Sequence, residues 1–477
     1  MKVCLINPAA DTARSLGRFS NMMAPIPPPG PSYLAAVLEK KNIDVCIEDQ
    51  FASKRTNRDI AEDILKKHPD IVGFSCLTPA FNTVIEIISF LHSYSFSGKI
   101  ILGNVHSSYF HRELLANRTA DYIIHGEGEE TISELIDSVF NSSGKNLKDI
   151  PGLSFLEDNK VIFTGFRPQI SDLDKIPYPS WHLLDFKNYP GEPILARNNF
   201  ILPVTGSRGC NHNCFYCAQN YLQKKVVSRN IIKVVDEIEY FYSRFGVNFY
   251  GFTDPMFPNA KDQGTDFCNE MIKRGLHKKI KWFTENRVDF LEPDLLCLMK
   301  ESGCHMIQFG FEVGDPLILN SISKNTYLEQ AKKVIKMTKK AKILSYGLFM
   351  IGLPGETKST IERTFEFSRT IDCDFAKFNR AVPYPGTKFY EMFKDSIQKY
   401  IKTPEKFTAW YEPVDEYDEL PYLPEGISAS EIINLQKKGL RDFYLRPKMI
   451  IRHILNKNLS PKTLILGASL LKKFSLS

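Results

Sequence analysis

The sequence predicts an α/β chain built as an N-terminal doubly wound parallel sheet, a partial (β/α)6 barrel of the TIM type, and a helical C-terminal region. Two successive series of short apolar runs alternate with amphipathic stretches, the first over about 140 residues and the second starting at Ile201. Between them, residues 168–181 are rich in Pro and Asp and read as extended linker. At 477 residues the chain is too long for one ordinary domain. The expected division is 1–141, a connector 142–200, the barrel 201–397, and a basic helical region 398–477.

In order, residues 3–6 read as a strand and 31–41 as a helix, with apolar residues at 33, 34, 37 and 38. Strands follow at 45–48, 71–75, 100–102 and 122–124, with helices at 60–67, 84–94 and 131–140. These strands are apolar throughout, as expected of a parallel sheet covered on both faces. Residues 152–164 suggest a hairpin within the connector. Barrel strands are expected at 202–205, 249–253, 281–284, 306–310, 344–350 and 375–378. Six units suit a partial barrel better than a closed eight-unit one. Beyond them, 410–422 is acidic and aromatic, and 428–444 is helical. From Phe443 onward there are seven Lys/Arg and no Asp or Glu, with Ile450, Ile451, Ile454 and Leu455 able to line one helical face.

The net charge of +6 is mild for this length, and no dense basic block lies in the body of the chain, which argues against nucleic-acid binding. No stretch approaches the roughly 18 apolar residues of a membrane span, and the initial apolar run is too short for a signal peptide. Seven of the ten cysteines are scattered and read as free, mostly buried thiols. That usage suits a reducing, cytoplasmic setting rather than a disulfide framework. The basic tail either packs on the barrel, stays solvated, or touches an anionic membrane surface.

The remaining three, Cys210, Cys214 and Cys217, form a C-x3-C-x2-C set directly after a strand and Gly209. Thiolates are the usual ligands of iron–sulfur clusters. Three of them hold three irons of a cubane and leave the fourth open. Zinc, with His212 as fourth ligand, is the competing reading.

With Tyr216 before the third cysteine, this set resembles the radical S-adenosylmethionine superfamily. The resemblance implies a [4Fe-4S] cluster whose open iron is chelated by S-adenosylmethionine, and a reducing donor such as flavodoxin or ferredoxin. Later segments are similar in order: Gly251–Phe257 containing Asp254, Gly310–Gly314 containing Glu312, Phe349–Thr357 containing Gly352 and Glu356, and Pro383–Thr387. Tyr216, Asp254, Arg287, Glu312, Gly352 and Glu356 are the implied S-adenosylmethionine contacts. A second acid often stands in relatives where Pro255 is found here. Taken singly, Glu312 and Glu356 also fit helix-capping acids, and Arg229 and Arg287 fit salt-bridged surface arginines.

Turns at Ser75–Thr78, Gly103–His106 and Gly126–Glu130 follow strands of the first sheet, where doubly wound folds bind ligands. Together with residues 27–39 they resemble the Rossmann- or flavodoxin-like cobalamin-binding domain fused to some radical enzymes. Implied contacts are Asn7, Ser75, Thr78, Gly103, Asn104, His106, Gly126, Glu127, Gly128 and Glu129. The Asp-x-His-x-x-Gly motif of mutases is absent, which implies base-off cobalamin. Asn104 replaces a glycine that is common in relatives.

The resemblance runs from Lys2 to about residue 395 and implies a methyltransferase of class B type. It would methylate an unactivated carbon of a small-molecule, lipid or natural-product substrate through a 5′-deoxyadenosyl radical and methylcobalamin. Radical cyclisation, ring contraction or rearrangement with the same cofactors is the alternative, and a cobalamin- or redox-responsive binding protein is another. No side chain is singled out as a catalytic acid or base.

Overall fold

The computed structural model describes all residues except 11–23, 141–144, 193, 197–198, 224, 325–327, 403–405, 408–419 and 456–477. Strands β1 (Lys2–Asn7), β2 (Asp44–Asp49), β3 (Ile71–Ser75), β4 (Lys99–Gly103) and β5 (Tyr122–Ile124) are parallel, in the order β2-β1-β3-β4-β5. This is the doubly wound order whose chain reversal lies between β1 and β3. Helices Asn57–Lys67 and Phe81–Ser93 cover one face; Pro29–Glu39 and Glu129–Phe140 cover the other. Pro29 and Pro31 sit in the first turn of Pro29–Glu39, where a missing N–H costs nothing. Thr56 caps the next long helix by accepting from the Asp59 amide.

The expected connector hairpin forms, but it belongs to the first sheet. Strand β6 (Leu153–Glu157) pairs antiparallel with β5, and β7 (Lys160–Phe163) with β6, so the sheet continues past residue 141. A second difference concerns cysteines. Cys4 and Cys46 stand directly opposite each other on β1 and β2 and are joined as a disulfide, so they are not free thiols, and Cys297 is exposed. The pairing of two neighbouring strands cannot be read from linear spacing.

The second sheet has six parallel strands: β8 (Leu202–Val204), β11 (Phe249–Phe252), β12 (Lys281–Asn286), β13 (Cys304–Glu312), β14 (Leu344–Ile351) and β15 (Phe375–Arg380). Between the first two runs a short antiparallel pair, β9 (Ser207–Arg208) with β10 (Val227–Ser228), absent from the sequence-based expectation. The outer face packs on the helices around Trp282, whose ring meets Phe252, Phe257 and Phe267 edge to face. The inner face starts with an apolar plug of Ile201, Phe249, Phe283, Met306 and Phe375. Because strand side chains alternate, Glu285, Gln308 and Lys377 stand one layer nearer the carboxyl end, inside the lumen. The lumen thus grades from dry to polar.

Helix Ala429–Tyr444 packs against β15 and helix Lys358–Ile371, and Pro447–Leu455 follows it. Most of the acidic, aromatic stretch expected at 410–422, and the end of the basic tail, lie outside the described residues.

Candidate functional site

The cysteine loop is anchored at both ends. Arg229 N donates to the Gly206 carbonyl at 2.9 Å, and Phe215 N donates to the Ile322 carbonyl at 3.2 Å. Gly209 has φ +88°, and a Cβ there would lie 1.9 Å from the Lys225 carbonyl oxygen, so no other residue lets the loop pass. Cys210, Cys214 and Cys217 are free and half-buried. Burial raises the Cys214 and Cys217 thiols, while the Lys324 and Arg287 charges pull Cys214 back. Among the described residues no three His, Cys, Asp or Glu side chains converge as one metal ion requires. Thiolates on three corners of a cubane stand further apart than ligands sharing one ion, so a cluster does not require such convergence.

Asp254, just past β11, is fully buried beneath the loop. Its oxygens accept from Gly206 N at 2.9 Å and Ser207 Oγ at 2.6 Å, and burial lifts the carboxyl to about 7. It therefore braces the loop, and its oxygens are not presented to a cofactor as the sequence suggested. Arg229 is likewise structural, ion-paired with Glu237 at 2.6 Å. Arg287 is held by Asp289 at 2.9 Å and donates to the Lys324 carbonyl at 2.9 Å, beside the loop.

Glu312 ends β13 in the left-handed region, φ +64°, at a register shift against β14. That conformation costs a non-glycine residue about 1 kcal/mol and is commonest at functional sites. Glu312 forms an ion pair with Lys324 and accepts a hydrogen bond from the Tyr216 hydroxyl, whose titration burial pushes well up. A Cβ on Gly310 would crowd both members of that pair, at 2.6 and 2.7 Å. Tyr216, Glu312 and Lys324 thus form one cluster next to the cysteines. Lys324 was not foreseen, because only the fold buries a lysine eight residues after Pro316 against the end of β13. Gly352 has φ +86°. Glu356 accepts from Leu353 N at 2.8 Å through Oε2, while buried Oε1 has no partner, and burial raises the carboxyl to about 7.

Deeper in the lumen, Glu285 retains accessible surface, but that surface is ringed by protein. The enclosure, with Glu312 nearby, raises its carboxyl, and the same enclosure lowers Lys377 against the pull of Glu285. Neither residue was singled out from sequence, since each looks like an ordinary polar strand position.

A cavity of about 360 Å³ lies between the carboxyl ends of both sheets. Ser75, Gly103, Asn104, Gly126, Glu127, Gly128 and Glu129 line it from the first sheet; Thr205, Ser207, Arg208, Thr253 and Pro255 line it from the barrel. Cβ atoms on Gly30 and Gly126 would meet nothing within 4 Å, and one on Gly103 only a carbonyl at 3.9 Å, so these glycines leave a cradle open. Such a surface fits a large planar cofactor laid against backbone. Asn104 adopts φ +82°, supplying the glycine-like backbone itself, with Oδ1 accepting from Val105 N at 2.8 Å and Nδ2 donating to Ser75 at 3.2 Å.

Three expected contacts lie elsewhere. Asn7 donates to Asp49 at 2.9 Å, and Thr78 is buried beside His106 Nδ1 at 3.1 Å. His106 sits between Phe81 and Phe110, and burial lowers it to about 3, keeping it neutral. Glu127 and Glu129 line the cavity but are engaged by Arg208, at 3.0 and 2.7 Å, whose guanidinium also lies over the Tyr33 ring at 5.1 Å. Arg208 is two residues before Cys210, so one side chain ties the Gly126–Glu129 turn to the cysteine loop.

Residues 204–368 match the profile of the Radical SAM superfamily, and residues 20–136 that of the B12 binding domain. The chain is 32% identical over 459 residues to an uncharacterized methyltransferase of Pyrococcus horikoshii, covering 95% of each. It is 27% identical over 425 residues to an anaerobic magnesium-protoporphyrin IX monomethyl ester cyclase of Cereibacter sphaeroides, covering 88% of this chain and 67% of that one. In fold it is similar to the radical S-adenosylmethionine methyltransferase TsrM of Kitasatospora setae, solved with cobalamin and a [4Fe-4S] cluster, at TM-score 0.70 and 16% identity, covering 94% of this chain and 89% of that one.

Proposed function

The chain belongs to the radical S-adenosylmethionine superfamily, among members that also carry a B12 binding domain, and from that premise we propose that it methylates an unactivated carbon of a small molecule. The observation that carries this reading is the shared cavity. The glycine cradle of the first sheet shares one space with the residues on either side of the cysteine loop, Ser207, Arg208 and Gln219, and Arg208 bridges the two.

When bound, the cluster, S-adenosylmethionine and cobalamin supply one-electron cleavage of a C–H bond and a transferable methyl group, chemistry outside the reach of any side chain. The protein positions them. Cys210, Cys214 and Cys217 would hold three irons, and Tyr216, Glu312 and Lys324 form the polar cluster next to these cysteines. Lys324 and Arg287, paired with Glu312 and Asp289, bring positive charge near Cys214 and would help hold a cofactor carboxylate there. Gly30, Gly103 and Gly126 would admit the cobalamin face. Glu285, Gln308 and Lys377 offer hydrogen bonds to substrate in the lumen, and the apolar plug excludes water from below. A flavodoxin or ferredoxin would deliver electrons at the half-exposed loop, in the cytoplasm. A lipid substrate suits the lumen only if its polar end meets that layer.

Anaerobic purification from cells given iron and cobalamin tests the assignment, with roughly four irons and one cobalt expected per chain. Iron without cobalt would remove cobalamin from the reading. With a substrate in hand, a product heavier by one methylene unit supports methylation. The cyclase relative favours a second reading, radical cyclisation or rearrangement, which predicts no such gain. Reductive formation of 5′-deoxyadenosine would reject a purely cobalamin-responsive binding protein.

A further inference from the structure

We propose that Glu285 selects the substrate by receiving the protonated nitrogen of a small amphipathic amine, whose apolar remainder lies along Leu348 and Met350. The inference rests on the methylation reading above and names the class of molecule that the same lumen takes.

The lumen is not filled by side chains. Along β14 the inward residues Leu344, Tyr346, Leu348 and Met350 stay half-buried, while the residues between them are buried. A strand packed tightly on both faces would bury both sets. Glu285 is in register with Gln308, and Gln308 with Tyr346. Leu348 and Met350 stand two and four residues beyond Tyr346, toward the carboxyl ends. Met350 packs on the cluster that contains Phe215 of the cysteine loop. An apolar wall therefore rises from the level of Glu285 to that loop.

At the foot of the wall, Glu285 keeps surface that a ligand can reach, yet among the described residues it accepts no hydrogen bond and forms no ion pair. Other enclosed acids are met by donors: Asp254 by Ser207, Glu237 by Arg229, Glu312 by Lys324 and Glu356 by the Leu353 amide. The cations nearest the cysteine loop are committed, Arg287 to Asp289 and Lys324 to Glu312. Lys377 acts on Glu285 from β15 through its charge, and the enclosure that lowers Lys377 weakens that charge. An enclosed carboxylate persists only when a partner offsets the water it has lost. A charged donor does this about twice as well as a neutral one. With an apolar wall above, the donor that fits is an ammonium carried on an apolar body. Such a body brings its unactivated carbons to the height of the cysteine loop.

The test is equilibrium dialysis of the anaerobically reconstituted protein, its iron and cobalt counted beforehand, against labelled 2-phenylethylamine, 2-phenylethanol and 3-phenylpropionate. These probes are close in size and differ in charge. No turnover is needed, so the result stands apart from whether cobalamin binds or a methyl group is transferred. The amine is expected to bind best. Glu285→Gln keeps the size and removes the charge, and should weaken the amine at least about tenfold while leaving the alcohol unchanged. Glu285→Asp should restore part of the preference. Unchanged melting temperature and iron content confirm the fold of both variants. Equal binding of amine and alcohol, no binding of either, or equal loss of both in Glu285→Gln would overturn the proposal. So would a preference for the carboxylate, which would assign the charge that governs the lumen to Lys377.

Discussion

At the scale of single residues, the sites divide into those whose chemistry is local and those whose role depends on distant partners. Cys210, Cys214, Cys217 and Gly209 belong to the first kind and were legible, because their spacing and the glycine's backbone are properties of one loop. Gly209→Ala should cost at least about 1–2 kcal/mol from the left-handed backbone alone. The clash with Lys225 adds to that, so iron per chain should fall after anaerobic reconstitution. Asp254 is of the second kind. Its place in the sequence suggested a cofactor contact, and only the fold shows both oxygens holding Gly206 and Ser207. Burial raises its carboxyl from near 4 to about 7, so its ionised form is less favourable folded than unfolded. Its contribution to stability is full below about pH 4 and is lost as pH rises to about 7. Asp254→Asn should flatten that part of the pH profile of the thermal midpoint, measured on metal-free protein, while lowering the midpoint overall through the lost acceptor. His106, neutral in its aromatic slot, should be replaceable by Gln without changing the spectrum of bound cobalamin, as befits a residue outside the cavity.

At the scale of elements, strands were read well and their pairing was not. Apolar runs bounded by turns reveal parallel strands. The β6–β7 hairpin gave no sign of joining the first sheet, nor did Cys4 of meeting Cys46, since both depend on which strand lies next to which. The bridge from the Gly126–Glu129 turn to the cysteine loop escaped sequence reading for the same reason, Arg208 and its acids being some 80 residues apart. Removing one member of a buried ion pair typically costs about 3–5 kcal/mol, because the partner is stranded. Arg208→Met strands Glu127 and Glu129. It should reduce cobalt retained after gel filtration while leaving iron per chain close to the parent value. Equal loss of both metals would show the side chain supporting the barrel rather than the seam.

At the scale of the whole molecule, the two α/β units present their carboxyl ends to each other, and the order and type of both were visible from periodicity alone. The cavity between them was not, because its walls come from loops that no periodicity governs. The apolar plug closing the lower end of the barrel has a consequence for turnover. Among the described residues the barrel is stopped at one end and faced at the other by the first domain, which makes the seam the passage that substrate and product are expected to share. Release must then follow the path of arrival in reverse, and the dwell time of product becomes a property of the seam. A disulfide engineered across it should leave a first turnover intact when substrate is loaded beforehand, and slow every later one, which single- and multiple-turnover kinetics would separate.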